Sequence, residues 1–227
     1  ARWGSKSLNT TTGSLNVTNL GGNDVIVTID GDKNLVGGDG EDKITAGNGN
    51  HVVAGDNVEV TYVAIRLPGA GQALRYETTD KLSGTGGNDT LTLGNGNNVV
   101  FGGMGADTIT TGTGTDTIFG DNGYVQMDVE GGKFARWGSK SLNTTTGSLN
   151  VTNLGGNDVI VTQSGDKWLV GGDGEDKITA GNGNHVVAGD NVEVTYVAIR
   201  LPGAGQALRY ETRSEEHTSE LQSRETI

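Results

Sequence analysis

A nine-residue period runs through this chain and limits what it can fold into. In the first copy it divides residues 19–63 into NLGGNDVIV, TIDGDKNLV, GGDGEDKIT, AGNGNHVVA and GDNVEVTYV. Glycine occupies position four of the first four units, and an aliphatic or aromatic residue always occupies position eight. Each unit therefore alternates a glycine-rich turn with a three-residue strand whose middle side chain points inward. This spacing and this glycine content exclude a helix.

A longer repeat contains the nine-residue one. Residues 1–78 return at 135–212, an offset of 134, with changes only at Ile29, Asp30 and Asn34. A weaker middle copy aligns the GGND that begins at residue 21 with the GGND that begins at residue 86, and continues without gaps to the GDN that begins at residue 120. The chain thus holds three copies of a unit of about 65 to 69 residues.

The composition limits how such a fold can be stabilised. Of the 227 residues 40 are glycine, 33% are hydrophobic and only three each are Phe and Trp, which leaves little to bury. The net charge of −12 argues against nucleic acid as a partner. With no cysteine, neither disulfides nor thiolate-bound metals are available, and hard oxygen ligands remain as the cross-link. No run of 18 apolar residues or signal-peptide pattern exists, so we expect a fragment without a membrane span.

Three of the nonapeptides resemble a known repeat family. GGDGEDKIT, GGMGADTIT and TGTGTDTIF are similar to the GGxGxDxUx nonapeptide of RTX, or haemolysin-type, calcium-binding repeats, and the first two match at every defined position. The resemblance covers residues 19–57, 84–123 and 153–191. It implies an all-β fold, a parallel β-roll in which each nonapeptide forms half a coil, with Ca²⁺ held between stacked turns. Antiparallel β-hairpins are expected to interrupt the roll segments.

The expected domains follow from where the nonapeptides stop. They are a flanking strand plus the first roll at 1–57, a hairpin at 58–83, the second roll at 84–123, a hairpin and flanking strand at 124–152, the third roll at 153–191, a partial hairpin at 192–212, and a non-native tail at 213–227. The hairpins hold most of the aromatic residues and are predicted to cover the open end of a roll, with glycan binding as the alternative. The tail contains RSEEHTSELQS, which resembles a translated sequencing adapter.

The repeat phase divides the turns between two edges. Because two nonapeptides complete one coil, turns on one edge come from alternate nonapeptides, which places Asp42 opposite Lys33 and His51. Calcium takes six to eight oxygen ligands, and Lys or His cannot replace a carboxylate. The family pattern, together with the aspartates of the turns, gives this predicted set of metal ligands: Asp24, Gly37, Asp39, Asp42, Asp56, Asp89, Gly102, Asp107, Asp116, Asp121, Asp158, Gly171, Asp173, Asp176 and Asp190.

Some of these positions allow a second interpretation. A single Asp between glycines is an ordinary turn former, but its recurrence in phase favours metal binding. The middle block carries Asn98 and Asp116 on the second edge, so metal on both edges stays open there. The aspartates at position two of the GDN turns either cap the last calcium or close the coil through an Asx-turn.

The histidines invite a zinc or catalytic interpretation. His51 and His185 have no second His and no Cys at ligand spacing, so we expect them to be exposed turn residues. The chain also has no nucleophile elbow, HExxH motif or phosphate loop. The sequence therefore predicts no enzyme activity.

These features predict a calcium-binding structural repeat region of a secreted or surface-attached bacterial RTX-like protein. Each coil buries only two aliphatic side chains, which cannot offset a backbone ordering cost of about 1 to 2 kcal/mol per residue. Extracellular calcium is therefore expected to fold the chain, after type I secretion, into an elongated spacer or adhesin stalk. The alternatives are the non-catalytic tail of a secreted hydrolase or epimerase, or a glycan- or ice-binding solenoid. Partners other than calcium would be glycans or cell-surface ligands bound through regions outside this segment.

Overall fold

The computed structural model describes residues 2–4, 21–64, 72–79, 86–128, 133–139, 155–198 and 206–212. In these ranges the chain forms nineteen strands in three sheets, without a helix. The predicted all-β class, with parallel sheets and a separate antiparallel sheet, is confirmed. The tail 213–227 and most of the flanking segment before residue 21 lie outside the described residues, so the predictions for them stay predictions.

Two parallel six-stranded sheets form the roll. The first roll sheet contains β2 (Val25–Val27), β4 (Lys43–Ala46), β8 (Thr90–Leu93), β10 (Thr108–Thr111), β14 (Val159–Thr162) and β16 (Lys177–Thr179). The second roll sheet contains β3 (Asn34–Val36), β5 (Val52–Ala54), β9 (Val99–Phe101), β11 (Asp116–Phe119), β15 (Lys167–Val170) and β17 (His185–Ala188). Strands follow chain order within each sheet and alternate between the sheets, as a β-roll requires.

The three blocks form one continuous roll. β4 of the first block pairs in parallel with β8 of the middle block, with Ile44 opposite Leu91. β10 pairs in the same way with β14 of the third block, with Ile109 opposite Ile160. The second roll sheet continues across both junctions through β5 with β9 and β11 with β15. After each block the chain thus leaves from the second roll sheet and re-enters in the first roll sheet, beside the last strand of the block there, β4 or β10.

The position-eight side chains form the interior of the roll. Those that are completely buried between the two roll sheets are Ile44, Val53, Leu91, Val100, Ile109, Ile118, Ile160 and Leu169. At the ends of the roll Ile26, Leu35 and Ile178 are only partly buried. The interior is one side chain thick, as the small hydrophobic fraction predicted.

The hairpins assemble into a third, antiparallel sheet. This hairpin sheet contains, in spatial order, β1 (Arg2–Gly4), β6 (Val58–Ala64), β7 (Gln72–Thr78), β12 (Gly123–Asp128), β13 (Lys133–Ser139), β18 (Val192–Ala198) and β19 (Gln206–Thr212). It packs against the outer face of the second roll sheet, where Phe119 lies between Phe101, stacked at 5.1 Å, and Trp137, edge-on at 6.0 Å. The prediction that the hairpins cover the open end of a roll is therefore wrong. They cover its flank, because the outward side chains of the second roll sheet are apolar.

Candidate metal centre

The turns that lead from the second roll sheet into the first roll sheet form what we call the acidic edge. Position six of these turns is always aspartate: Asp24, Asp42, Asp89, Asp107, Asp158 and Asp176. Oδ1 of each aspartate from the second onward accepts the backbone N–H of the aspartate in the preceding turn, at 2.7 to 2.9 Å. The prediction that alternate nonapeptides share an edge is confirmed by this ladder.

The second carboxylate oxygen of the ladder aspartates has no partner. Oδ2 is buried without a hydrogen bond in Asp42, Asp89, Asp107, Asp158 and Asp176. Native proteins rarely leave a buried charged oxygen in this state, because its desolvation is not compensated. Five such oxygens in register along one edge indicate that a cation is the missing partner.

Each unpartnered oxygen faces a glycine at position one of the same turn. A Cβ atom at Gly37 would collide with Asp42 Oδ2 and with the carbonyl oxygen of Gly55 in the next turn. A Cβ atom at Gly102 would collide in the same way with Asp107 Oδ2 and the carbonyl oxygen of Gly120. We call the space that glycine leaves open at this point a cradle. It is bordered by carboxylate and carbonyl oxygens, the donors that calcium prefers.

The hairpins are inserted into turns of the acidic edge. A Cβ atom at Gly55, before the first hairpin, would collide with Oδ2 of Asp89, which follows it. Gly120 and Asp158 have the same relationship around the second hairpin. Each of these turns is thus completed by residues from both sides of an inserted hairpin, and each has its own cradle.

The aspartates at position two of the GDN turns connect neighbouring coils. Asp56 Oδ2 accepts the backbone N–H of Met104 at 2.5 Å, and Asp121 Oδ2 accepts that of Asp173 at 2.5 Å. Asp190, the equivalent residue in the last turn, is exposed. Asp56 and Asp121 thus each make a structural contact to the next coil. The other oxygen of Asp121, Oδ1, is buried without a hydrogen bond, so calcium capping stays a prediction.

The aspartates at position three are paired with amides. Asp39 Oδ1 accepts Asn57 Nδ2 at 2.6 Å, and Asp173 Oδ1 accepts Asn191 Nδ2 at 2.5 Å. All four side chains are buried. These contacts fasten the first and last GDN turns to the turn before each, while in the middle GDN turn Asn122 Nδ2 donates to the carbonyl oxygen of Gly103 at 3.3 Å.

Burial raises the pKa of several carboxyl groups on the acidic edge, including those of Asp42 and Asp176. The pKa of Asp89 rises to about 8 and that of Asp158 to about 7, because burial and then neighbouring carboxylates outweigh the stabilising backbone hydrogen bond. The same causes hold the pKa of Asp107 well above its ordinary value, and burial raises that of Asp121 to about 9. In the absence of a cation these groups therefore tend to retain protons near neutral pH.

The turns that lead from the first roll sheet into the second form the opposite side, which we call the mixed edge. Its position-six residues are Lys33, His51, Asn98, Asp116, Lys167 and His185. Nε2 of His51 lies 3.0 Å from the carbonyl oxygen of Gly47, and Lys33 Nζ donates to Gly31 O at 2.9 Å. The expectation that His51 is exposed is wrong: only 1% of its surface is exposed, because the middle block covers it. On this edge several position-six side chains contact the carbonyl oxygens of their own turn.

Position one also differs between the edges. On the mixed edge it always carries a side chain: Thr28, Ala46, Leu93, Thr111, Thr162 and Ala180. Ala46 and Leu93 are part of the buried interior of the roll. The space that forms a cradle on the acidic edge is therefore filled on the mixed edge.

Asp116 is the one predicted metal ligand on the mixed edge. Its Oδ1 accepts Asn98 Nδ2 at 2.8 Å, and its Oδ2 accepts Thr111 Oγ1 at 2.7 Å and Lys167 Nζ at 2.6 Å. Both oxygens thus have partners within the protein. Asp116 differs in this respect from the ladder aspartates, and its role as a calcium ligand gains no support from its surroundings.

The donor set suits calcium better than zinc. Among the described residues, no group of three or more His, Cys, Asp or Glu side chains converges as a metal site. A cation in a cradle would instead be held by one or two aspartates with backbone carbonyl oxygens, as hard cations accept. The residues that fit this role are Asp42, Asp89, Asp107, Asp158 and Asp176 with the position-one glycines.

Parallel coils of nonapeptides, with aspartate-bearing cradles along one edge, define a calcium-binding β-roll. Comparison with protein-family models identifies the RTX calcium-binding nonapeptide repeat in four copies, at residues 27–57, 76–109, 105–125 and 153–184. The chain is thus a calcium-binding RTX repeat region of a bacterial protein. Comparison with curated proteins and with solved structures gives no match.

Two elements of the site were absent from the sequence prediction. Gly55 and Gly120 form cradles as Gly37 does, although they belong to GDN turns that lack the nonapeptide pattern. The sequence signal that could have identified them is the glycine at position one. It is present in the GDN turns as well as in the acidic-edge nonapeptides that begin with GG. The reach of Lys167 into the turn of Asp116 was also missed, since no pattern within one nonapeptide encodes it.

Proposed function

We propose that this segment is a calcium-dependent structural module of a secreted or surface-attached bacterial protein, which folds when it meets extracellular calcium. The observation that carries this proposal is the row of five buried, unpartnered Oδ2 atoms on the acidic edge. Calcium bound in the cradles supplies the partner that these oxygens lack and neutralises carboxylates stacked in successive coils.

Calcium also supplies stability that the fold does not obtain from burial. The interior of the roll is one layer of aliphatic side chains, and glycine loses more backbone freedom on ordering than any other residue. Because the cradles exist only when coils are stacked, calcium binds the folded chain and not the unfolded one. Binding and folding are therefore a single process.

The calcium gradient across the cell envelope would time this process. Extracellular calcium modules bind at about 10⁻⁴ to 10⁻³ M, which is far above the free calcium of a cytosol. The chain would remain unfolded during export, as type I secretion of an unfolded polypeptide requires, and would fold outside the cell. RTX repeats generally occur in secreted bacterial proteins.

The continuous roll supports a role as a spacer or adhesin stalk. One 134-residue repeat moves the roll from β2 to β14, which is four strand spacings, or about 19 Å at about 4.8 Å per strand. The hairpin sheet grows in the same direction and stiffens the roll along its flank. Further repeats would lengthen the rod without a change of cross-section.

Other activities gain less support. RTX repeat regions are structural calcium-binding domains and are typically non-catalytic. A flat threonine face for ice or glycans is interrupted in the described first roll sheet, where Lys43 lies in register beside Thr90 and Val159 beside Thr108. The described ranges contain no helix with the length and hydrophobicity needed to cross a membrane.

Small-angle X-ray scattering of the chain in calcium and in chelator tests this proposal. An unfolded chain of this length has a radius of gyration of about 50 Å, and we expect this value in chelator. Millimolar calcium should reduce it to that of a compact rod, and magnesium at equal concentration should not. A compact particle in chelator would contradict the proposal.

A further inference from the structure

Lys167 carries the one buried ammonium group seen in the described residues, and it is surrounded by oxygen atoms. Nζ donates to Asp116 Oδ2 at 2.6 Å, to the carbonyl oxygen of Gly114 at 2.6 Å and to that of Gly112 at 3.4 Å. The side chains of Lys167 and Asp116 are both completely buried. One carboxylate oxygen and two turn carbonyls thus converge on this cation.

This arrangement has the same components as a cradle with a cation in it. On the acidic edge a position-six carboxylate and turn carbonyls border an open space. On the mixed edge the same position-six carboxylate, Asp116, belongs to a turn whose carbonyls face an ammonium group from the next coil. We propose that the Lys167 ammonium is a built-in replacement for calcium, which joins the middle block to the third block on the mixed edge without a metal ion.

The duplicated sequence provides an internal comparison. Lys33 occupies the same repeat position in the first copy, within the same GDK sequence. Its contacts with described residues are to carbonyl oxygens of its own turn, those of Asp30 at 3.1 Å and Gly31 at 2.9 Å, and these contacts are exposed. The lysine alone therefore does not create the buried site. The site also needs the aspartate of the preceding turn.

Thr111, at position one of the same turn as Asp116, completes the site that replaces a calcium cradle. Thr111 is 1% exposed, and its hydroxyl donates to the same Asp116 oxygen that Lys167 contacts. Thr111 fills the space that a position-one glycine would leave open for a metal. Asp116 Oδ2 is consequently bound by a hydroxyl and an ammonium, whereas Oδ2 of Asp107, one nonapeptide earlier, has no partner.

The two edges of this junction then depend on different cations. Between the middle and third blocks the acidic edge, with Asp107 and Asp158, requires calcium, while the mixed edge is closed by the chain itself. A buried charge whose partner is removed is strongly destabilising, so loss of either Asp116 or Lys167 should weaken the junction at any calcium concentration. The number of bound calcium ions should not change.

The test compares two aspartates that are followed by the same Thr-Ile pair. Calcium bound to the full chain is counted by equilibrium dialysis at saturation, for the wild type, Asp107→Asn and Asp116→Asn. We expect Asp107→Asn to bind one calcium ion fewer than the wild type. Asp116→Asn should bind the wild-type number but unfold at a lower temperature. Loss of calcium from Asp116→Asn would overturn the proposal.

Two further variants test the proposed role of Lys167. Thr111→Gly combined with Lys167→Asp recreates the acidic-edge pattern and should add a calcium ion, whereas an unchanged count would contradict the proposed equivalence. Lys167→Met should lower the thermal midpoint in saturating calcium without a change in count, and an unchanged midpoint would also overturn the proposal. If Asp107→Asn retained every calcium ion, the proposed acidic-edge sites would fail, while Lys167→Met would still test whether the buried ammonium stabilises the junction.

Discussion

The backbone N–H of Asp42 donates to Oδ1 of Asp89 at 2.7 Å, although 47 residues separate them in the sequence. The equivalent contact from Asp24 to Asp42 spans 18 residues, one coil of the roll. The first contact therefore continues the ladder across an inserted hairpin. The entropic cost of closing a loop rises only slowly with loop length. Such an insertion is therefore tolerated when contacts of its own order it. The hairpin sheet provides those contacts.

Gly55→Ala should abolish one cradle, and the duplication supplies its control. A methyl group at Gly55 would collide with Asp89 Oδ2 and Gly102 O, whereas a methyl group at Gly189, the same position in the last turn, would meet no atom within 4 Å. We expect Gly55→Ala to bind less calcium at saturation and to lose about 1 to 3 kcal/mol of stability through overpacking. Gly189→Ala should resemble the wild type. Equal effects of the two variants in equilibrium dialysis and thermal unfolding would exclude the cradle interpretation.

Asp42→Asn should remove a calcium ligand while it preserves the ladder. The amide oxygen can still accept the N–H of Asp24, but the charge is lost. We expect about a tenfold weaker affinity, or about 1.4 kcal/mol, for the cradle concerned, measured by isothermal titration calorimetry.

His51→Ala is the control for the opposite edge. It removes a contact to Gly47 O and should lower thermal stability by about 1 to 3 kcal/mol, with the full number of calcium ions bound at saturation. If His51→Ala weakened calcium affinity as Asp42→Asn is expected to do, the assignment of calcium to the acidic edge would be wrong.

Without calcium, the fold should be favoured by acid. The pKa of Asp158, Asp89 and Asp121 is about 7, 8 and 9 in the folded chain, because burial disfavours the charged form, against about 3.9 in an unfolded one. Folding therefore takes up protons. The stability that these groups contribute is full below about pH 4, declines as the pH rises above that value, and is lost once the pH passes the folded pKa values of about 7 to 9.

Circular dichroism in chelator measures this pH dependence. The strand signal should be larger at about pH 5 than at about pH 9, and Asp89→Asn should reduce the difference because its amide cannot ionise. In saturating calcium the trend should be absent or reversed, since protons then compete with the metal. If the strand signal in chelator increased as the pH rose, these carboxyl groups would not be buried as described.

Trp137→Ala should detach part of the hairpin sheet without a change in calcium binding at saturation. Trp137 is completely buried and packs edge-on against Phe119 of the second roll sheet. We expect a loss of about 3 to 5 kcal/mol in chemical denaturation with calcium present. Trp168→Asn, which installs the residue found in the first copy, changes a partly buried side chain and should cost less. A larger loss from Trp168→Asn would contradict this packing.

The sequence was sufficient to predict the elements that depend on local period. Position eight of the first four nonapeptides in each block defined the interior of the roll, except at Val187 in the last coil, which is 52% exposed. The fifth nonapeptide belongs instead to the hairpin sheet. Counting two nonapeptides per coil correctly placed Asp42 and His51 on opposite edges. Both depend only on the alternation of turn and strand, which neighbouring residues determine.

The elements that the sequence did not predict depend on distant partners. The continuity of the roll requires β4 to pair with β8 across a hairpin. The sequence of neither strand specifies this pairing partner. The position of the hairpins on the flank depends on Phe101 and Phe119. These side chains face outward from the second roll sheet and are buried only when the hairpin sheet packs on them. The burial of His51 was not predicted, because the residues that cover it belong to the middle block, which stacks on the first.

The most direct test of the account is whether calcium binding and folding coincide. Far-UV circular dichroism and equilibrium dialysis are followed over one calcium titration of the same chain, with magnesium as the control. We predict one shared midpoint, full reversal by chelator and no strand signal with magnesium alone, because the cradles form only in stacked coils. A full strand signal in chelator at neutral pH, with calcium binding later to a preformed roll, would contradict the account.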